Sequence, residues 1–297
     1  MNLRELHNSL ISKLLKAGIE SAGPETKIML EEAFGHDFTW LFLHNREEVA
    51  AEAIERLGAM LERRKAGEPL QYIIGKANFM GLDIAVGPGV LIPRPETERL
   101  CELTESEVLE LCGAPEKCLQ SDRGDTVKLR FLDLCTGSGC IAAYLAERFP
   151  DSDVSACDIS SAALEFAGRN CPERVKLFQG DLFEAIPPGE EPYDIIISNP
   201  PYIPSGKIAS LEPEVKAWEP SLALDGGEDG MDTVSRIIRE APKFLSPGGL
   251  LFMEIDENCG AAALRAASLS GAYEEFEIYK DLNARDRYLR AKKKLDF

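Results

Sequence analysis

The chain has 297 residues, 44% of them hydrophobic and 28% charged, which is enough for one large α/β domain or two smaller ones. Its 33 Lys plus Arg against 51 Asp plus Glu give a formal charge of −18, which argues against loose electrostatic attachment to DNA or RNA, since that needs a basic footprint. No run approaches the ~20 apolar residues of a membrane span, so a soluble, cytosolic protein is expected.

The first sixty-odd residues read as helices. Leu3, Leu6, Leu10, Leu14 and Leu15 recur at spacings of three and four, an amphipathic start rather than a charged head before an apolar signal core. Pro24 suits a first helical turn, followed by Ile28, Leu30 and Phe34 up to Gly35. A longer helix carries Ile54, Leu57 and Leu61, ends in R-R-K and stops near Gly67. From Gln71 to Ile92 the pattern changes to short β-like pieces broken by Gly75, Gly81 and Gly87-Pro88-Gly89. L-I-P-R-P-E-T-E follows at 91–98, where Arg94 and Glu96 are expected to stiffen a hinge between domains. Residues 113–128 read as a solvated loop or linker.

Beyond 128, strands and helices alternate: K-L-R-F-L-D-L, then I-A-A-Y-L-A-E-R-F, D-V-S-A-C-D, A-A-L-E-F-A-G-R-N, V-K-L-F-Q and Y-D-I-I-I-S. T-V-S-R-I-I-R-E-A-P-K-F-L reads as a helix closed by Pro247-Gly248-Gly249, L-L-F-M-E-I as a strand, and A-A-A-L-R-A-A-S-L as a helix before Gly271. This alternation implies a parallel sheet covered on both faces. E-E-F-E-I-Y and D-R-Y-L-R-A lack a helix between them and should pair antiparallel.

Eight cysteines (101, 112, 118, 135, 140, 157, 171 and 259) include no C-x-x-C pair, which fits reduced thiols rather than a disulfide framework or a zinc site. The three histidines, at 7, 36 and 44, suggest neither a nucleophile–histidine pair nor a metal cluster, and no metal is expected.

Two stretches carry chemistry. F-L-D-L-C-T-G-S-G-C-I, residues 131–141, is a strand, a glycine turn and a helix start; Gly137 and Gly139 remove side chains where a ligand would touch the backbone. Gly137-x-Gly139-x-x-Ala142 also satisfies a loose dinucleotide fingerprint. Asp133 places a carboxylate near the strand's end, Asp158 closes the second strand where ribose hydroxyls would lie, and Gly180-Asp181 after the third strand suits an adenine edge. Asp158 could equally cap the helix starting near Ser160. The second stretch is I-I-I-S-N-P-P-Y, 195–202: a buried strand stopped by two prolines. The Asn199 side-chain carbonyl and the Pro200 backbone carbonyl are rigid acceptors and Tyr202 is a flat face, a set suited to a planar –NH2 group. A turn with a packed Tyr is the plainer alternative.

D-L-x-T-G-S-G with S-N-P-P-Y resembles class I S-adenosylmethionine-dependent methyltransferases acting on planar nitrogens. With the helical N-terminus, G-E-P-L-Q-Y-I-I-G and L-I-P-R-P-E-T-E, the whole chain resembles the release factor glutamine methyltransferase (HemK/PrmC) family. The resemblance implies an α/β fold: a seven-stranded Rossmann-like sheet with a small helical domain joined by a β-hairpin-like linker. The expected domains are 1–70 (helical, substrate docking), 71–98 (linker) and 99–297 (methyltransferase). It implies S-adenosylmethionine as cofactor and methylation of the glutamine amide nitrogen in the Gly-Gly-Gln motif of class 1 peptide chain release factors.

Carried over by position, the cofactor residues are Asp133, Thr136, Gly137, Ser138, Gly139, Cys140, Asp158, Asp181, Leu182 and Asn199. Asn199, Pro200 and Tyr202 are the expected catalytic residues, and together with Pro201 they form the substrate set. Some relatives place an aromatic where Leu182 stands. Glu219-Pro220 and G-G-E-D-G-M, 226–231, border the substrate pocket in the resemblance and read equally as a solvated acidic loop. A monomer is expected, with no direct nucleic-acid or membrane partner. The rivals are an adenine-N6 nucleic-acid methyltransferase, which would want basic grooves, a ribosomal-protein glutamine methyltransferase, a non-catalytic cofactor-binding scaffold, and a dehydrogenase resting on the glycine turn alone.

Overall fold

The computed structural model describes residues 1–111 and 128–295; the expected loop at 113–128 therefore lies, but for Lys128, outside the described residues. The chain divides into two compact units, 1–76 with 212–218, and 77–211 with 219–297.

The first unit is helical. Helices Leu3–Lys16, Ala22–Phe34 and Ala51–Lys65 bury one face each, with Leu6, Leu10, Leu14, Met29, Leu30, Leu57 and Leu61 in a common core. Their ends follow from local chemistry. Asn2 and Glu5 form a capping box, and Gly35 closes the second helix at φ +67°, a conformation cheap only for glycine. Leu15, expected on the apolar stripe, is exposed, because Leu14 already occupies that turn's inward position. The buried guanidinium of Arg64 donates to Glu25 at 2.6 and 3.0 Å and to Glu214 at 2.6 Å. That last bond ties the short helix Pro213–Trp218 into this unit although it is nearly 150 residues downstream.

Residues 71–92 are less uniformly β than their glycines suggest. Leu70–Ile74 is a helical turn, stopped by Gly75 at φ +87°; only Lys76–Phe79 (β1) and Leu82–Ala85 (β2) pair as strands. Five residues with Leu70, Tyr72 and Ile73 all buried have no period that separates helix from strand.

The second unit is built on seven strands: Arg130–Leu134 (β3), Asp153–Asp158 (β4), Lys176–Gln179 (β5), Tyr193–Ser198 (β6), Leu245–Glu254 (β7), Tyr273–Lys280 (β8) and Asp286–Lys293 (β9). They lie in the order β5-β4-β3-β6-β7-β9-β8, parallel except for β9, which runs antiparallel to both neighbours. The α/β fold with an antiparallel final hairpin is therefore present as expected. Ile195, Ile196 and Ile197 are each 0% exposed, as a central parallel strand covered on both faces requires.

One helix ends earlier than its pattern suggests. Asp232–Glu240 stops before Pro242, and Pro247-Gly248-Gly249 lies inside β7 at a register shift against β6. Proline and glycine are tolerated there because the ladder is already interrupted.

Two features of this sheet position a site. The chain moves outward from β3 to β4 and β5, then returns to β6 on the other side of β3, so the crevice at the carboxyl ends opens between β3 and β6. The strands also end level. Leu134 pairs with both Cys157 and Ser198, and Ser198 pairs with Met253. The residues just past that row are Cys135, Asp158, Asn199 and Glu254.

Candidate active site

A cavity of about 310 Å³ opens at this crevice, within the range of small-molecule sites. Its walls include Thr136, Gly137, Ser138 and Cys140 from the glycine turn, Asp158 and Ile159 at the end of β4, and Gly180, Asp181 and Leu182 after β5. Asn199 and Pro201 follow β6; Thr97, Pro220, Leu222, Thr233 and Arg236 also line it.

The glycine turn is held from beneath and from the side. Asp133, 0% exposed, accepts from the Thr136 hydroxyl at 2.5 Å and from Ala142 N at 3.2 Å; its other oxygen has no partner among the described residues. Burial pushes this carboxyl up to about 7, against the two hydrogen bonds. Asp158 accepts from Gly137 N and from Ser160 N, both at 2.9 Å, so one carboxylate steadies the turn and the start of helix Ser161–Asn170 together. Burial raises its pKa as well. Asn170 donates to the Ser138 carbonyl at 2.8 Å and exchanges two hydrogen bonds with Ala85, tying β2 to the turn.

Several expected contacts are placed differently. Asp133, Gly139, Pro200 and Tyr202 do not line the cavity. Asp133 lies under the turn because it is still within β3, in a side chain layer closed off by the helix that follows. Gly139 serves packing: a Cβ there would come within 2.9 Å of Ala167 Cα, whereas at Gly137 nothing lies within 4 Å. Tyr202 does not offer its ring to the cavity; its hydroxyl donates to Glu254 at 2.5 Å. Arg94 pairs at 2.5 Å with Glu219, which also accepts from Ile92 N, so the expected inter-domain hinge contact is a clamp within the second unit.

Asp181 is engaged by Arg236 through both carboxylate oxygens, at 3.2 and 3.0 Å. Leu182 and Cys135 both line the cavity, at φ +52° and φ +58°. Non-glycine residues in the left-handed region cost about 1–3 kcal/mol each and persist where the surroundings hold them. At Asn199, Nδ2 donates to the Thr97 hydroxyl at 2.9 Å, and that hydroxyl lies 2.9 Å from Glu254.

Thr97, Glu254 and Asn170 went unrecognised in the sequence as parts of this site, whereas Glu219 was named there as bordering the substrate pocket. G-G-E-D-G-M also matters more than its composition implies: a Cβ on Gly226 would come within 2.6 Å of Tyr202 Cα, and one on Gly230 within 2.3 Å of Tyr202 O. Three glycines in six residues, soon after a Pro-Pro-Tyr, were the available signal of that close approach.

The cavity suits an adenosyl group with a charged tail. It offers a bare glycine turn at a helix start, a carboxylate after the second strand, apolar Ile159 and Leu182, and a polar Asn199 at the far strand tip. A Rossmann-like sheet with this site defines a class I S-adenosylmethionine-dependent methyltransferase.

Comparison with known proteins narrows the class. Residues 5–75 match the family model of the PrmC N-terminal domain, and residues 117–211 match that of the methyltransferase small domain. A release factor glutamine methyltransferase from Geobacter sulfurreducens is 38% identical over 277 residues, covering 92% of this chain and 90% of that protein. Its counterpart from Deinococcus radiodurans is 34% identical over 296 residues, 99% of each. The chain belongs to the release factor glutamine methyltransferase family, and its cofactor is S-adenosylmethionine. Among solved structures, the catalytic domain of hMettl16 shares the fold, with a TM-score of 0.51 at 16% identity over 82% of this chain and 81% of that one.

Proposed function

We infer that this chain methylates the side-chain amide nitrogen of the glutamine in the Gly-Gly-Gln motif of class 1 peptide chain release factors, supporting translation termination. The observation that carries the reading is Asn199. It lines the cavity, its Nδ2 is taken by Thr97, and its Oδ1 has no partner among the described residues, leaving an acceptor for an incoming N–H.

Thr136, Gly137, Ser138 and Cys140 would hold the methionine end of the cofactor, Asp158 the ribose hydroxyls, and Asp181 with Leu182 the adenine edge. When bound, S-adenosylmethionine supplies a methyl carbon on a positively charged sulfur. An amide nitrogen is a poor nucleophile because its lone pair is delocalised into the carbonyl. Asn199 Oδ1, accepting one N–H at the cavity wall, would orient that nitrogen and favour the positive charge it develops. Pro200, Pro201 and Tyr202 would keep rigid the strand tip that carries this acceptor. Asp133 and Gly139, which do not line the cavity, would support the turn.

We also propose that residues 1–70 give the release factor a second contact, and that the protein works as a monomer in the cytoplasm, where its substrate acts. No helix among the described residues is long and apolar enough to cross a membrane. The decisive experiment offers labelled S-adenosylmethionine with a purified release factor, its Gln→Ala variant and duplex DNA. Label on the wild-type factor alone is expected. Equal label on the variant, or label on DNA, would overturn the reading.

A further inference from the structure

The Asn199 side chain has a donor end and an acceptor end, and only the acceptor end can grip an amide N–H. A chain of hydrogen bonds behind the cavity decides which end is free. It begins at Glu254, the last residue of β7, which is fully buried. Tyr202 OH reaches Glu254 Oε1 at 2.5 Å, and Thr97 Oγ1 reaches Oε2 at 2.9 Å. Burial raises the Glu254 pKa and the nearby Glu96 adds to the rise, while these two hydroxyls and Arg287 oppose it.

While Glu254 is ionised it only accepts, so each hydroxyl directs its single proton at it. Thr97 Oγ1 then has only lone pairs to offer Asn199, and it accepts from Nδ2 at 2.9 Å. Turning Asn199 over would require the Thr97 proton for Asn199 Oδ1. One Glu254 oxygen would then lose its donor in a place water does not reach. The arrangement is one-way.

We propose that Thr97 and Glu254 are positioning residues for methyl transfer: together they orient Asn199 so that its oxygen, not its amide NH2, meets the acceptor nitrogen. This rests on the reading that Asn199 grips the acceptor amide. Neither group supplies or removes a proton in the reaction. The chain order favours such an arrangement, since Ser198 and Met253 are paired in neighbouring parallel strands and Asn199 and Glu254 are the residues that follow them. Thr97 arrives from the first turn of helix Pro95–Leu111, within the P-R-P-E-T-E stretch.

The test uses the full chain with a purified release factor and labelled S-adenosylmethionine. Thr97→Val keeps the shape and removes the hydroxyl; Thr97→Ala removes it without a branched side chain, should valine disturb folding. Both should lower kcat by roughly 10- to 100-fold, the scale of a misoriented reacting group, with KM for the release factor changed less than about threefold. Thr97→Ser, which keeps the hydroxyl, should recover kcat to within about threefold of wild type. A hydroxyl-free variant with wild-type kcat would overturn the proposal, as would a Thr97→Ser chain as slow as Thr97→Val. Wild-type inactivity on the release factor would instead overturn the functional reading beneath it.

Discussion

The carboxylate of Asp158 accepts a hydrogen bond from the backbone N–H of Gly137 at 2.9 Å, across 21 residues of sequence. The same side chain lines the cavity. A support for the glycine turn and a place on the cavity wall are therefore joined in one group. Asp158→Ala should weaken S-adenosylmethionine binding by roughly 10- to 100-fold, since hydrogen bonds to charged groups are worth about 1.5–3 kcal/mol. Calorimetric titration of both proteins measures this directly; an unchanged Kd would exclude Asp158 from the cofactor site.

Asn199 tests the other side of the cavity. Asn199→Ala should reduce methyl transfer to a release factor by more than about 100-fold, the usual scale for removing a preorganised group that meets developing charge. Cofactor affinity should stay within several-fold, because the glycine turn and Asp158 are untouched. Full activity in this variant would remove the amide-gripping role.

The glycine turn separates two kinds of glycine. Gly139→Ala drives a Cβ to 2.9 Å from Ala167 and adds strain at φ +80°, so thermal stability should fall by something on the order of 2–4 kcal/mol. Gly137→Ala meets no atom within 4 Å and should cost only about 1–2 kcal/mol from its positive φ. Its new methyl lies on a cavity wall, so its larger effect should be on cofactor Kd. Denaturant melts and titrations of the pair would reveal whether the two effects separate.

Asp133 gives a pH signature. In the folded chain burial holds its carboxyl to about 7, whereas in the unfolded chain it ionises near ~4. Between those values the folded state binds a proton that the unfolded state has lost. The stability contributed by Asp133 therefore declines as pH rises from about 4 to 7 and levels off above. Asp133→Asn does not titrate, so its stability relative to wild type should rise across that window and then stay flat. Unfolding curves at four pH values from 4 to 8.5 suffice, and a pH-independent difference would contradict the assignment.

The signals legible in the chain were local ones. Three isoleucines in a row, a glycine turn after an apolar strand, and two prolines after Ser198 each report on their own backbone within a few residues, and each gave an element that the structure contains. Asp158 was legible for the same reason, as the polar end of an apolar strand. The supports were not. Thr97 meets Asn199 across 102 residues and Glu254 across 157, and Glu219 meets Arg94 across 125. In isolation Thr97 reads as a first-turn helix residue and Glu254 as a charged strand end, and nothing in their neighbours contradicts that.

What the sequence by itself determined was the succession of strands and helices and the two tips, the glycine turn and Asn199, that line the cavity, because periodicity, glycine and proline act over short distances along the backbone. Only the tertiary structure decided that β6 and β7 stand side by side with Ser198 level with Met253. That register brings a buried carboxylate up behind Asn199, and burial makes its hydrogen bonds obligatory. The direction in which an amide points is settled there, by strand order and the exclusion of water, which no single stretch of sequence contains.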